Sequence, residues 1–304
     1  MNHLIDETDE ITPQSVIYKH IDNSCDLLMK HPDTVVGHLN HERSVTNDYR
    51  GRVLFELLQN AVDRAKKNIW IDFDRDKRTL IVANDGQPFA FKAREDEPRS
   101  DFAAICAIDT SNKAMGKSIG NKGVGFKSVW SLTESVQVRT REGAHQWGFR
   151  LRWPFHSGFL DSWSDEQQVV KIKQCLFDAQ LEERHRGRAP SFYFPEFIGS
   201  PEWQFGSAVT AIELEELSDD ACDQIEELIN GENALLSRPL IFVSEIREEI
   251  SLDLTVRSSH LAEGEVSQSL HINDDWLRID VDLSDVGEEL EKGLAQLGVA
   301  LGRL

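Results

Sequence analysis

The chain has 304 residues, 40% hydrophobic content and a formal net charge of −20 at pH 7, a composition that predicts a globular protein with a packed core. Its acidic, polar start and the lack of a long apolar run exclude a signal peptide and a membrane span, so we expect a soluble, cytoplasmic protein with no membrane partner. The overall acidity argues against direct nucleic-acid binding, because backbone phosphates repel an acidic chain.

Residues 1–45 are polar, and we interpret them as a lead-in segment with one short helix around 15–30. Thr46-Asn47-Asp48 offers N-cap chemistry for a helix that continues to Lys67. Two strands are predicted at 68–73 and 79–83. The charged turn between them makes the pair a hairpin, and a helix is expected again near 100–108.

A polar, lysine-rich stretch at 109–122 has no regular period and predicts a loop that ends in a helix at 124–132. Alternating patterns then predict paired strands at 135–141 and 146–153 and a further strand at 207–214. An acidic helix is predicted at 219–230, and two last strands at 240–243 and 251–256. Helices and strands are mixed without a regular βαβ rhythm. The sequence therefore predicts an α+β fold, a two-layer sandwich with a mixed, largely antiparallel sheet and helices on one face.

Charge is unevenly distributed along the chain. Residues 213–304 hold 23 acidic and 6 basic residues, which accounts for most of the net charge, whereas residues 112–153 hold eight Lys or Arg and two Glu. The local positive excess fits a bound polyphosphate. We interpret the acidic residues of 213–304 as a solvated face. We expect a main domain at 46–245 and an acidic extension at 246–304 that begins a following domain.

The helix predicted after residue 46 carries the first motif. Glu56, Asn60 and Asp63 stand at positions i, i+4 and i+7, within an arc of roughly 60° on a helix. The opposite side is apolar, with Leu54, Leu57, Leu58, Ala61 and Ala65. The helix can therefore pack by its apolar side and present two carboxylates and an amide together, although an ordinary amphipathic helix shows the same pattern.

The second motif ends the second predicted strand. Leu80-Ile-Val-Ala83 continues into Asn84-Asp85-Gly86-Gln87-Pro88, where Gly86 allows a close backbone approach and Pro88 fixes the exit of the loop. A carboxylate at such a strand end can accept a hydrogen bond from the exocyclic amine of adenine. A simple strand-to-loop turn favours the same residues.

The third motif is a glycine-rich loop that leads into a predicted helix. Backbone N–H groups and the helix dipole make such a place an anion site, with Lys122 or Lys127 available for added charge. A Walker A loop is excluded because Phe126 stands where that motif requires Lys. A Rossmann fingerprint is excluded because Ser128 stands where it requires Gly. The glycines are Gly120, Gly123 and Gly125.

The three motifs together resemble the N, G1 and G2 boxes of the GHKL ATPases, which have the Bergerat fold. The glycine loop, Ile119-Gly-Asn-Lys-Gly-Val-Gly-Phe-Lys-Ser128, is most similar to the chaperone branch, and the whole set is most similar to the sacsin and NO VEIN type of ATP-binding module. The resemblance covers roughly residues 46–245. It implies a Mg²⁺-dependent ATPase with ATP and ADP as ligands.

Carried over by position, the resemblance makes Glu56 the general base for the attacking water. Asn60 would coordinate Mg²⁺, and Asp63 would support the adenine side of the pocket. Lys113 stands where the family has its ATP lid and could reach a phosphate. Thr210 resembles a late-strand threonine that contacts adenine through water, with Ser207 as the alternative register. Gly120, Gly123 and Gly125 would wrap the phosphates, with Phe126 and Lys127 at their edge. Lys122 and Val124 complete the nucleotide-binding set.

One departure concerns the adenine-reading box. Aligned on Gly86, the family pattern Asp-x-Gly-x-Gly puts Asn84 at the Asp position and Pro88 at the last Gly. Either Asp85 takes the role by a shift of one residue, or Asn84 reads adenine with weaker discrimination. Both residues stay candidates at this point.

The resemblance implies slow hydrolysis, because related enzymes take a further Lys or Arg from a following domain or partner subunit. The residues from about 246 onward are too few and too acidic to form a complete domain of that kind. An ATP-dependent homodimer is a further expectation. A non-hydrolysing nucleotide-binding interaction module and a histidine-kinase-like domain are the alternatives. The family association extends to chaperone-like remodelling and bacterial antiphage defence.

Overall fold

The computed structural model describes residues 12–48, 53–95, 99–107, 126–203, 205–230, 251–258 and 265–271. The α-helices in these ranges are α1 Pro13–Lys30, α2 Pro32–Asp48, α3 Val53–Arg64, α4 Asp101–Cys106, α5 Glu166–Asp178 and α6 Asp219–Asn230. The strands are β1 Asn68–Asp74, β2 Thr79–Asn84, β3 Ser135–Glu142, β4 His145–Arg152, β5 Phe155–His156, β6 Arg188–Ala189, β7 Glu196–Ile198, β8 Thr210–Glu215, β9 Ser251–Ser258 and β10 Glu265–His271. None of these helices is long and apolar enough to cross a membrane.

Most of the strands form one mixed sheet. Its order across the described residues is β10-β9-β1-β2-β8-β3-β4-β7, and β5 pairs with β6 separately. The β1–β9 pair is parallel, and the other pairs in the sheet are antiparallel. The predicted α+β fold with a mixed, largely antiparallel sheet is confirmed.

The main core lies between one face of this sheet and the helices. In β1, Ile69, Ile71 and Phe73 are buried and alternate with partly buried residues, as expected for a strand with one face in the core. These side chains belong to the same apolar cluster as residues of α1, α2, α3, α5 and α6. The helices therefore form the second layer of the sandwich.

The other face of the sheet buries charged groups beside a small apolar cluster. Arg139 of β3 and Glu213 of β8 form an ion pair, and their side chains are only 6% and 10% exposed. Arg139 also donates to the backbone oxygen of Glu202 at 2.7 Å. On the same face, Arg150 of β4 contacts Glu215 at 3.0 Å. Because burying a charge is costly, removing one partner of such a pair is more harmful than replacing both.

We expect Glu213→Leu to lower the free energy of unfolding by about 3–5 kcal/mol, because the Arg139 charge stays buried without its carboxylate partner. The double variant Arg139→Met, Glu213→Leu should recover most of the loss. Urea unfolding of the wild type, both single variants and the double variant measures this. Lys77→Met, which removes an exposed pair with Asp74, is the control and should change little. Additive losses in the double variant would contradict the prediction.

Segments on both sides of the predicted 46–245 domain take part in this fold. Helix α1 and most of α2 precede residue 46, and Ile17, Ile21 and Val35 from them are fully buried in the main core. After residue 245, β9 and β10 extend the sheet next to β1. The division at 45 and 245 stays a prediction about chain organisation, but it does not separate the packed elements.

Three local predictions were wrong in detail. Residues 46–48 end α2 and do not cap α3, and the Thr46 hydroxyl donates to the Glu42 carbonyl one turn earlier at 2.8 Å. The helix predicted at 124–132 is a short 3₁₀ helix, Phe126–Ser131. Strand β8 begins at Thr210, three residues later than predicted. The strand predicted at 240–243 lies outside the described residues.

Candidate functional site

Helix α3 turns its motif residues away from the core. Its apolar side is buried as predicted, with Leu54, Leu57, Leu58 and Ala61 at most 4% exposed, and Ala65, which directly follows the helix, is fully buried. Glu56, Asn60 and Asp63 are only partly buried. The helix packs against β2 and against the 3₁₀ helix Phe126–Ser131. The three polar side chains are therefore partly exposed on a rigid element beside the end of β2, and one carboxylate oxygen of Asp63 is buried.

A row of polar side chains crosses the three central strands. Asn84 ends β2 and pairs with Thr210 of β8, which in turn pairs with Thr140 of β3. Two and four residues earlier in β2, Val82 and Leu80 point into the main core, so Asn84 lies on the same helix-covered face. All three row residues are buried. The register places Thr210 directly beside Asn84.

Ser207, the alternative to Thr210, lies elsewhere. It is exposed and precedes the first residue of β8. It takes no part in the polar row. Of the two registers considered from the sequence, the Thr210 register is the one that brings a hydroxyl to the end of β2.

This row shapes the loop that follows β2. The Asn84 side-chain oxygen accepts from the Gly86 amide at 3.1 Å. The Thr210 hydroxyl donates to the Gln87 carbonyl at 3.1 Å, and the Thr140 hydroxyl accepts from the Phe89 amide at 2.9 Å. Side chains of three strands thus hold the loop backbone in one conformation, which is a prerequisite for a preorganised binding site.

Gly86 lies against the backbone at the end of α3. A Cβ atom at this position would be 1.6 Å from the Arg64 carbonyl oxygen and 2.9 Å from the Ala65 Cα atom. The Gln87 amide also donates to the Arg64 carbonyl at 3.4 Å. The close approach expected from the sequence therefore joins the second motif directly to the helix that carries the first.

Asp85 faces the connection between α3 and β1. One carboxylate oxygen accepts from the amides of Lys66, Lys67 and Asn68 at 2.9–3.0 Å, and the other accepts from the Asn68 side-chain amide at 2.6 Å. Burial raises the pKa of Asp85, but these hydrogen bonds outweigh burial and hold its pKa below the usual 3.8. Its hydrogen-bonding groups thus serve the local fold, whereas Asn84 lies in the polar row.

Asp85→Asn is expected to lower the free energy of unfolding at pH 7 by about 1–3 kcal/mol, because it replaces a charged acceptor of several N–H groups. Since the folded-state pKa lies below the unfolded value, the carboxylate stabilises the fold fully above about pH 4, and this stabilisation is lost as the pH falls through the folded-state pKa. The difference from wild type should shrink there. Urea unfolding at several pH values measures it, with exposed Asp76→Asn as the control. A difference independent of pH would contradict this account.

Asp101 fixes the far part of the same loop, and sequence reasoning missed it. It contacts Arg64 at the end of α3 at 3.1 Å and Arg94 at 2.8 Å, and it accepts from the Ala90 amide at 2.8 Å. The Ser100 side chain caps α4 by accepting from the Ala103 amide. The one available sequence signal was the Ser-Asp pair at the start of a predicted helix.

Three residues of the third motif, Phe126, Lys127 and Ser128, are described, and all are buried. Phe126 is 9% exposed and belongs to the main core. Lys127 is 2% exposed, donates from its ammonium to the Ala107 carbonyl at 2.5 Å and lies 5.5 Å from the centre of the Phe192 ring. The other predicted phosphate-binding residues, Lys113, Gly120, Lys122, Gly123, Val124 and Gly125, lie outside the described residues.

The fold agrees with the two-layer sandwich that the GHKL resemblance implies. No known family model matches the chain. Over 118 residues the chain is 27% identical to the chaperone protein HtpG of Coxiella burnetii, in strain RSA 331 / Henzerling II and equally in strain RSA 493 / Nine Mile phase I. The match covers 36% of this chain and 19% of each relative. This similarity supports a relationship at the level of GHKL, heat-shock-chaperone-like proteins.

Proposed function

We propose that the chain is a Mg²⁺-dependent ATP-binding module that hydrolyses ATP slowly and converts its nucleotide state into domain movement. The observation that carries the proposal is the packing of Gly86 on the end of α3. It brings the polar row at Asn84 to the helix that carries Glu56 and Asn60. The partial similarity to the chaperone HtpG supports the same class of function.

The donor set on α3 suits magnesium. Asn60 and Glu56 stand one helical turn apart on a partly buried face, and both offer hard oxygen ligands of the kind that Mg²⁺ prefers. Asn60 is the proposed ligand, with phosphate oxygens and water completing the coordination. When bound, Mg²⁺ would neutralise negative charge on the phosphates, which is the main electrostatic requirement of phosphoryl transfer.

Glu56 is the proposed general base. Its carboxylate is partly exposed and adjacent in space to Asn60, so it can orient a water molecule for in-line attack on the γ-phosphate and accept its proton. Glu56 lies on a helix whose other side is fixed in the core. Such a rigid position favours catalysis by orientation.

Adenine recognition is assigned to Asn84, with Thr210 beside it and Asp63 supporting the same side of the pocket. Asp85 is the weaker candidate, because its carboxylate already accepts four hydrogen bonds from the α3–β1 connection. The Asn84 side-chain oxygen already accepts from the Gly86 amide, so its NH₂ group is the part offered to a base edge, as a donor without charge. We therefore expect ATP to be preferred over GTP by a modest margin.

We assign the phosphates to the glycine-rich motif, with Phe126 at its edge, and to Lys113 of the preceding loop. The motif residues in this assignment are Gly120, Lys122, Gly123, Val124 and Gly125. A Lys or Arg from a downstream domain or a partner subunit would complete the site, which explains the slow hydrolysis expected of this chain alone. ATP-dependent homodimerisation is one way to supply it. A sacsin-like module in a chaperone-like or antiphage-defence machine of the cytoplasm is the context proposed for this activity.

Calorimetric titration of the chain with ATP, with and without Mg²⁺, tests the proposal. We expect ATP to bind more tightly with Mg²⁺ than without it. Asn60→Ala should reduce the ratio of these two affinities at least tenfold, while the affinity for ATP without Mg²⁺ changes little. Asn23→Ala, at an exposed position of α1, is the matched control. Absence of ATP binding by the wild-type chain would refute the proposed function.

A further inference from the structure

Glu42 of α2 is a buried carboxylate outside the motif set. It is 5% exposed, and both of its oxygens accept from the Ser191 amide at 3.2 Å. The Ser191 hydroxyl donates to it as well. Burial raises the pKa of Glu42 to about 7, against the hydrogen bonds from Ser191 and the positive charges of Lys127 and Arg43. Such a group is retained only where neighbouring donors and cations compensate for lost water.

Lys127 supplies one of these charges from another element. Glu42 and Lys127 line the same small cavity, together with His38, His41, Pro190 and Phe192. The Lys127 ammonium donates to the carbonyl of Ala107, which is the C-cap residue of α4. The Lys127 side chain therefore reaches from the 3₁₀ helix Phe126–Ser131 to the end of α4, beside the Glu42 carboxylate of α2.

The same 3₁₀ helix supports α3. It packs against α2 on one side and α3 on another, and Val129 and Trp130 in it are at most 3% exposed within the main core. A change in its position would be transmitted to α3, because close-packed interiors have little free space to absorb a shift. The Glu42–Lys127 pair, which lines this cavity, is thus linked through packed atoms to the helix that presents Glu56 and Asn60.

We propose that Lys127 and Glu42 are positioning residues, which hold the 3₁₀ helix Phe126–Ser131 against α2 and the end of α4 and so set the orientation of α3, without touching the nucleotide. This inference rests on the proposed ATPase function. It differs from the phosphate-edge role that the motif pattern assigned to Lys127. The difference follows from the burial of Lys127 and from the hydrogen bond that its ammonium donates to Ala107.

Lys127→Met, Lys127→Arg and Glu42→Gln test the proposal, with exposed Lys19→Met as the matched control. Methionine keeps the length of the side chain without its charge, and glutamine keeps the shape of Glu42. We expect Lys127→Met to lower kcat for ATP at least tenfold, Glu42→Gln to lower it about threefold or more, and Lys127→Arg to recover most of the rate. The ratio of ATP affinity to adenosine affinity should stay within about twofold of wild type for all variants.

A residue that contacts phosphate would behave differently. A large loss of ATP affinity in Lys127→Met with unchanged adenosine affinity would overturn the proposal, and so would an unchanged kcat. If Lys127→Met does not fold, the proposal is tested with Glu42→Gln and Lys127→Arg instead. The same two quantities, the kcat for ATP and the ratio of ATP affinity to adenosine affinity, are measured for them.

Hydrogen–deuterium exchange on the nucleotide-free chain makes the test independent of ATPase activity. We expect Glu42→Gln and Lys127→Met to raise exchange in the 3₁₀ helix Phe126–Ser131 and in α3, and to leave α6 and β9 unchanged. A wild-type chain that fails to bind ATP refutes the proposed function and leaves this exchange result as the measure of the positioning contact. Exchange in α3 equal to that of wild type would show that the contact does not position the helix.

Discussion

Glu56→Ala is expected to lower the rate of ATP hydrolysis by a factor of about 10²–10⁴ and to leave the dissociation constant for ATP within about threefold of wild type. Removing a general base in phosphoryl transfer removes proton acceptance and water orientation, whose combined effect is of this size. Glu56 is partly exposed on a face whose opposite side is anchored in the core, so its truncation should not disturb packing. Phosphate release and calorimetric ATP binding measure the two quantities.

Two controls sharpen this experiment. Glu56→Gln keeps the volume of the side chain and should lose nearly as much rate as Glu56→Ala, because an amide cannot accept the proton. Glu142→Ala, at the exposed end of β3, should behave as wild type. Phosphate release that is unchanged in Glu56→Ala would refute Glu56 as the base. ATP binding without release in the wild type would favour a non-hydrolysing nucleotide-binding module.

Gly86→Ala is expected to have the largest structural effect of any single methyl addition in the candidate site. The new Cβ atom would lie 1.6 Å from the Arg64 carbonyl oxygen, so either the loop or the end of α3 must move. Both are backbone segments held by hydrogen bonds, and neither can yield as a flexible side chain would. We expect a loss of about 3 kcal/mol or more in the free energy of unfolding, at the upper end for overpacking, and at least tenfold weaker ATP binding.

The chain offers a matched control for this substitution. Gly37 lies inside α2, and a Cβ atom there would meet nothing within 4 Å. Gly37→Ala should therefore stabilise the protein by about 0.5–1 kcal/mol, since alanine is the better helix former. Urea unfolding and ATP titration of both variants give the comparison. Wild-type stability and affinity in Gly86→Ala would mean that the loop does not press on α3 as described.

The elements that sequence reasoning predicted well are those set by neighbours in the chain. The apolar period of α3, the β1–β2 hairpin and the acidic helix α6 each follow from a local pattern, and the structure has them at or near the predicted residues. Helix α2 was not predicted. Its last residues, Thr46-Asn47-Asp48, have side chains typical of a helix cap, but the Thr46 hydroxyl bonds backward within a helix here. Local chemistry was compatible with both outcomes.

Long-range contacts distinguish residues that the motifs alone could not. The sequence left both Asn84 and Asp85 as candidates for adenine recognition. The proposed preference for Asn84 rests on the backbone amides of residues 66–68, which bind the Asp85 carboxylate, and on the pairing of Asn84 with Thr210. The burial of Lys127 likewise depends on Ala107 and Phe192. A motif specifies residue types and spacing along the chain. It does not specify which surface of the motif the remainder of the fold covers.

The insertion of β8 between β2 and β3 also has a consequence for how the protein folds. The partners Asn84 and Thr210 are far apart in sequence, and bringing such distant segments together carries an entropy cost that slows folding. During synthesis, the edges of β2 and β3 that later pair with β8 have no partner strand until residues 210–215 leave the ribosome. The nascent chain is therefore most exposed to misassociation in this interval, and the polar row beside α3 is among the last parts of the molecule to form.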